Sequence, residues 1–353
     1  MAPQMTEAPP LPTAERLLEL VERMRGQPVV MLVDLVADRF ITGTPKRISR
    51  EAPVLILRLE SETLTPGGGA NAVANVAALG GEPLPLGVVG DDASGHSLRE
   101  ALAGAGIDTT GILVRHGYRT PTKTRVLGGG RHAIKQQIVR FDIEETLALT
   151  PSELAALAAR LSAWRGRASV AVLSDYGYGA VAPALLGAVR GALAGPGTVL
   201  CDSRFRLADF AGLDGATPNE EEAETLLGGP IDDDRGRLAA GGRELLDRLR
   251  ARFLLITRGS HGMALFDRAG LAELCVHGTD QVADVTGAGD TVIGTFALAL
   301  SAGASPLEAA LLANYAGGVV VMKMGTATLS PEELANAVRS DPRPLAELRW
   351  AKW

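Results

Sequence analysis

The sequence predicts an α/β fold: a mostly parallel central sheet covered by helices on both faces, with a small second β-sheet projecting from it. Three observations carry that prediction. Short apolar runs recur at 29–34, 84–90, 169–175, 197–203 and 252–259. Between them lie Ala/Leu-rich segments with helical spacing, at 70–79, 94–104, 151–164, 181–194 and 235–250. Strands alternating with helices imply a parallel sheet buried on both sides. Two segments, 52–60 and 112–142, break this rhythm and read as strands without intervening helices.

Taken in order, the first dozen residues read as a loose tail. Thr13 then caps an amphipathic helix with Leu17, Leu20, Val21 and Met24 on one side. Residues 1–27 are this tail and helix, and 28–353 form one domain. Its lid segments lie at about 40–64 and 112–142. Several strands end in polar residues: Asp34, Asp175, Asp202 and Thr257. Sites in such sheets lie beyond the carboxyl ends of the strands, so acids gathered at that edge point to function.

Composition narrows the classes. The chain has 353 residues, 46% apolar and 22% charged, with net charge −6. That is ample for a sizeable core, and nothing in it favours nucleic acid or an anionic membrane. No apolar stretch is long enough to span a bilayer, and the N-terminus lacks a signal-peptide core. Cys201 and Cys275 have no metal-ligand spacing and fit a reduced cytoplasm.

Four motifs carry chemistry. "DVTGAGDTVIG" (284–294) places Gly287, Ala288 and Gly289 directly before Asp290 at a helix start. Unpaired N–H groups and the helix dipole make such a place an anion hole, and a carboxylate beside it can take a proton from a hydroxyl. A glycine turn with a capping aspartate explains the same local pattern. "TPGGGANAVANVAALG" (65–80) is a second bare turn before a small-residue helix, with Asn71 able to donate and accept hydrogen bonds. Neither G-x-G-x-x-G nor a P-loop occurs. In "TPNEEEAETLLGG" (217–229), Asn219 and Glu222 are neighbours at a helix start. They suit a water-rich Mg²⁺, or simply the helix dipole. In "TRGSHGMAL" (257–265), Thr257 ends a strand, and Gly259 and Gly262 turn into another.

These four motifs, in this order, resemble the ribokinase-like (PfkB) carbohydrate kinases over about 28–340. A narrower resemblance, to D-glycero-D-manno-heptose 7-phosphate kinases, rests on "RISREAPV" (47–54), "TKTRVL" (122–127), "VRFDIEE" (139–145), "LSDYGYGA" (173–180) and "VVVMKMGTATLSPEEL" (319–334). The resemblance implies a three-layer ribokinase-like fold with a β-sheet lid. It implies an ATP- and Mg²⁺-dependent cytoplasmic kinase that makes the 1,7-bisphosphate. Many relatives carry a second, nucleotidyltransferase domain; no H-x-G-H motif occurs here, so a stand-alone kinase is expected.

Residue by residue, the resemblance makes Asp290 the base and Gly287, Ala288 and Gly289 the anion hole. Asp34, Asp38, Gly67, Gly68 and Asn71 match positions that contact sugar hydroxyls. Asn219, Glu220, Glu221 and Glu222 fall at the ATP-phosphate element, with Glu222 linked to Mg²⁺. Thr257, Gly259, Gly262 and Asn314 match the nucleotide side. Lys123, Arg125 and Arg140, on the lid strands, are the candidates for the substrate's own phosphate; solvated strand-edge charge is their plainer reading. A homodimer through the lid is expected. The chain departs from the family pattern at Val33, Tyr178 and Arg204, where glycine, lysine and lysine are usual. A kinase of another sugar, sugar phosphate or nucleoside is the nearest alternative, and a non-catalytic binding protein on the same fold is the more distant one.

Overall fold

Strand β1 (Pro28–Val33) shows why the sheet is buried on both faces. Its side chains alternate between two cores: Val29, Met31 and Val33 pack into one, Val30 and Leu32 into the other. Burying each such side chain contributes about 1.5–3 kcal/mol. The architecture is that of a computed structural model describing residues 11–130, 135–210, 212–231, 234–278 and 283–353. The expected tail over residues 1–10 therefore lies outside the described residues, as do Ala133 and Ile134.

The remaining strands follow in chain order. They are β2 (Leu35–Ile48), β3 (Leu55–Gly68), β4 (Glu82–Gly90), β5 (Ile112–Arg115), β6 (Thr122–Gly128) and β7 (Gln136–Ile143). After these come β8 (Val170–Asp175), β9 (Thr198–Ser203), β10 (Gly215–Ala216), β11 (Phe253–Thr257), β12 (Met263–Asp267), β13 (Gly270–Leu274) and β14 (Arg349–Lys352). Ten of them form one sheet, in the order β14-β13-β12-β11-β10-β9-β8-β1-β4-β5. It is parallel from β11 to β5. From β11 to β14 it is antiparallel. The second sheet has the order β3-β2-β6-β7.

Helices cover both faces of the large sheet. Thr13 accepts from the Arg16 N–H at 3.2 Å and starts the helix Ala14–Arg23, with Leu17, Leu20, Val21 and Met24 all buried. On the same side the helix Ala288–Ser301 is buried along most of its length, packed between Gly69–Ala78 and Pro306–Val320. The opposite face is covered by Pro151–Ala163, Leu186–Ala192 and Arg235–Leu249.

One boundary is corrected. Ile112–Arg115, expected with the lid, pairs in parallel with β4 at the edge of the large sheet. The three-strand antiparallel edge was legible only at its first turn. Met263–Asp267 pairs back on β11 through Gly262, where a Cβ would come 2.0 Å from the Leu274 carbonyl oxygen.

Candidate active site

Parallel strands β1, β8, β9 and β11 end at one edge, and the helix Ala288–Ser301 begins there. Asp290 sits in the first turn of that helix and is 2% exposed. Its Oδ1 accepts from the Tyr176 hydroxyl at 2.7 Å and its Oδ2 from Asn71 Nδ2 at 3.2 Å. Burial pushes its carboxyl up to about 7, against the two hydrogen bonds and the charge of Lys123. A carboxyl near neutrality, with a defined orientation, is suited to take a proton in a reaction at physiological pH.

Two cavities meet beside this carboxylate, at Thr257 and Gly289. A polar one of about 280 Å³ is lined by Asp290, Gly287 and Gly289 and by the cations Lys123, Arg125, Arg140 and Arg204. An apolar cleft of about 550 Å³ lies beyond it, lined among others by Val276, Val292, Gly317 and Val321. Thr257 and Gly289 line both. A Cβ built on Gly289 would meet nothing within 4 Å, so the helix start is open to the cavity. Gly287, at φ 79°, is the N-cap and provides no side-chain cap. A group of anionic character placed at the junction would face those N–H groups and the cations together.

The four cations are not equivalent. Arg125 pairs with the buried Asp38 at 2.6 Å, and Arg140 pairs with Asp142. Lys123 has no carboxylate within salt-bridge range among the described residues; its Nζ lies 4.9 Å from the Tyr176 ring centre, and burial lowers its pKa. Arg204 likewise has no carboxylate partner among the described residues, yet it faces the acids of the cavity.

Of the expected residues, Thr257, Asn219 and Glu222 reach the polar cavity. Thr257, Gly259, Gly262, Ala288 and Asn314 line the apolar cleft. Asn219 and Glu222 also form a capping box: Asn219 Oδ1 accepts from the Glu222 N–H at 2.8 Å, and Glu222 Oε2 from the Asn219 N–H at 2.9 Å. The helix-cap and ligand readings of this pair thus coexist in one geometry. Glu220 is taken by Arg258 at 3.0 Å, and Glu221 faces a neighbouring cavity with Phe205 and Thr225.

The residues expected to contact sugar line neither of these two cavities, though Asn71 and Asp38 bond residues of the polar one. Asp34 accepts from the N–H groups of Tyr176, Tyr178 and Ala180, each at 2.9 Å, and does not line the cavity. It ties down the loop that carries Tyr176. Gly67 is bare because the Asp38 carboxylate packs on it, where a Cβ would lie 2.5 Å from Oδ2. Gly68 has φ 51° and would bring a Cβ 2.8 Å from Val36 Cγ2. Asn71 is buried, bonding Asp290 and the Gly287 carbonyl at 3.2 Å.

Comparison with known proteins decides the family. A model described as pfkB family carbohydrate kinase matches residues 28–333. The chain belongs to the pfkB family of carbohydrate kinases. The kinase is 39% identical over 340 residues to the bifunctional protein HldE of Mesorhizobium japonicum, covering 95% of this chain and 66% of that protein. It is 41% identical over 323 residues to the HldE of Azotobacter vinelandii, covering 90% and 65%. The chain thus spans about two thirds of the length of these relatives. In fold it is similar to phosphofructokinase-2 from Escherichia coli in complex with substrates and products, with TM-score 0.71, 18% identity, and 90% and 99% of the two chains covered. A similar likeness holds for Arabidopsis thaliana ribokinase complexed with ribose and ATP, with TM-score 0.69, 20% identity, and 89% and 99% covered.

Sequence reading had not assigned Tyr176, Asp202, Arg204 or Thr217 to the kinase's site, although Asp202 stood among the strand-end acids. Asp202 carries no hydrogen bond to its carboxylate among the described residues, and burial, then the charge of Glu222, pushes its pKa well up. Thr217 Oγ1 is buried at the cavity wall with no partner among the described residues. An unpartnered acid and hydroxyl beside Glu222 fit a hard divalent cation with few protein ligands. No cluster of three or more potential ligands exists among the described residues. Mg²⁺ suits that, since it keeps waters and takes phosphate oxygens. Among the described residues no helix is long and apolar enough to cross a membrane.

Proposed function

We propose that this kinase transfers the γ-phosphoryl group of ATP to the anomeric hydroxyl of D-glycero-D-manno-heptose 7-phosphate. Asp290 takes the hydroxyl proton as the sugar oxygen bonds to phosphorus. The bond to the β-phosphate oxygen breaks, and ADP leaves with that electron pair. The N–H groups at Gly287–Gly289 and the cations Lys123 and Arg204 hold the transferring group, so positioning and charge supply most of the acceleration. Mg²⁺ held near Glu222 and Asp202 would neutralise phosphate charge. The apolar cleft takes the base, and Thr257 stands where cleft and polar cavity join.

The observation that carries the reading is the position of Asp290: a carboxyl raised to about 7, at an open helix start, in a cationic cavity that joins an apolar cleft at Gly289. The heptose assignment draws on the segments 47–54, 122–127 and 139–145, and on Arg125 and Arg140 at the cavity's lid side. Exposed Ile48, Leu59, Ile138 and Phe141 on the small sheet support a homodimer through that sheet. Light scattering at twice the chain mass would agree with it.

A substrate panel tests the function. With Mg·ATP, heptose 7-phosphate should give a kcat/KM at least about 100-fold above ribose, fructose and fructose 6-phosphate. Equal use of these sugars would overturn the heptose assignment, and ATP binding without turnover on any would overturn the reaction.

A further inference from the structure

His277 lines the apolar cleft and belongs to none of the motifs named above. Its Nδ1 lies 2.9 Å from Asp341 Oδ2. Asp341 is also held by Arg343, whose Nε reaches Oδ1 at 2.8 Å and whose Nη2 reaches Oδ2 at 2.7 Å. That guanidinium keeps the Asp341 carboxyl well below the usual carboxylate range. An ionised carboxylate only accepts, so Nδ1 donates to Asp341, and in that tautomer Nε2 is the ring's acceptor.

The ring is fixed on both sides. It lies tilted on Tyr315 with centroids 5.0 Å apart, and the Tyr315 hydroxyl donates to the Asp341 carbonyl at 2.7 Å. Gly318 leaves room for it, since a Cβ there would come 2.9 Å from His277 Cδ2. Nε2 has no hydrogen-bond partner among the described residues, it lies across the ring from the Nδ1 that faces Asp341, and the residue lines the cleft.

Resting on the reading that this cleft holds the base, we propose that His277 selects adenine over 6-oxopurines, with Nε2 accepting a hydrogen from the 6-amino group. An apolar slot alone distinguishes purines poorly. A fixed acceptor changes that: adenine satisfies it, whereas the O6 of hypoxanthine or guanine sets lone pair against lone pair.

The test measures Kd by calorimetry for the Mg²⁺ complexes of ATP, purine riboside 5′-triphosphate and ITP, at pH 8. The proteins are wild type, His277→Phe and His277→Ala. Phenylalanine keeps a ring against Tyr315 without the acceptor, and alanine guards against a ring that blocks the cleft. Wild type should favour ATP over purine riboside triphosphate by about tenfold, and over ITP by more. In both variants these preferences should shrink to within about threefold. Preferences unchanged in either variant overturn the proposal alone. Failure of every purine nucleotide to bind wild type overturns the cleft assignment and the proposal with it.

Discussion

Two turns of bare backbone, Gly67–Gly69 and Gly287–Gly289, each run into a helix, and they differ at the glycine nearest the cavity. In the first, the protein fills the space itself. The Asp38 carboxylate packs on Gly67, and a Cβ on Gly69 would lie 2.6 Å from Val33 Cβ and 2.8 Å from the Asp34 carbonyl oxygen. In the second, Asn71 Nδ2 fills the space beside Gly287, where a Cβ would lie 2.4 Å from it, but Gly289 faces empty cavity, with nothing within 4 Å. The two turns touch through Asn71, whose Nδ2 bonds both Asp290 and the Gly287 carbonyl. Glycine content therefore does not mark a binding site; the space left beside the glycine does. The first turn braces the second.

Substitutions can break that contrast. Gly289→Val should fold normally, because its side chain enters open space, and should lower kcat roughly 100-fold or more by filling the place of the phosphoryl group. Thermal unfolding with steady-state kinetics checks it; a variant with normal kcat would show that the open space is unused. Tyr176→Phe acts on the carboxyl between the turns. It removes the hydrogen bond that lowers the Asp290 pKa, so the acid limb of kcat/KM, expected near pH 7 in the wild type, should move to higher pH. A pH–rate profile unmoved by the substitution would separate Tyr176 from the base. Gly69→Ala is the mirror of the first: overpacking against Val33 should cost about 1–3 kcal/mol in urea unfolding. Turnover by the folded fraction should stay within about threefold, since this turn only braces the other. Lost turnover with unchanged stability would reverse the roles given to the two turns.

Much of this contrast was legible beforehand, and some of it was not. The apolar runs gave β1, β4, β8, β9 and β11 because strands buried on both faces need continuous apolar residues. The start of a helix at Asp290 followed from the glycines before it. What did not follow was which bare turn would be filled, because that depends on Asp38 and Val33 arriving from other strands. Asp34 looked like a site acid, yet three N–H groups of the 176–180 loop consume it. Local sequence does not reveal a hydrogen-bond partner 142 or more positions away. Tyr176 was missed for the same reason: its role is set by Asp290, 114 positions later. Arg204 stood out as a departure from the family pattern, and its lack of a carboxylate partner among the described residues emerged only from the fold.

The central claim is that Asp290 is the base, and Asp290→Asn tests it most directly. Its carboxyl rises from an ordinary 3.8 to about 7 on folding, chiefly through burial. The folded protein thus binds the proton more tightly, and this group's contribution to stability falls as pH rises from about 4 to 7. At pH 8 the ionised, buried group opposes folding, so the asparagine variant should have a higher Tm than the wild type. The account predicts that higher Tm together with ATP binding within about threefold of wild type and a kcat lowered roughly 1,000-fold. A well-folded, nucleotide-binding variant with kcat within tenfold of wild type would contradict it.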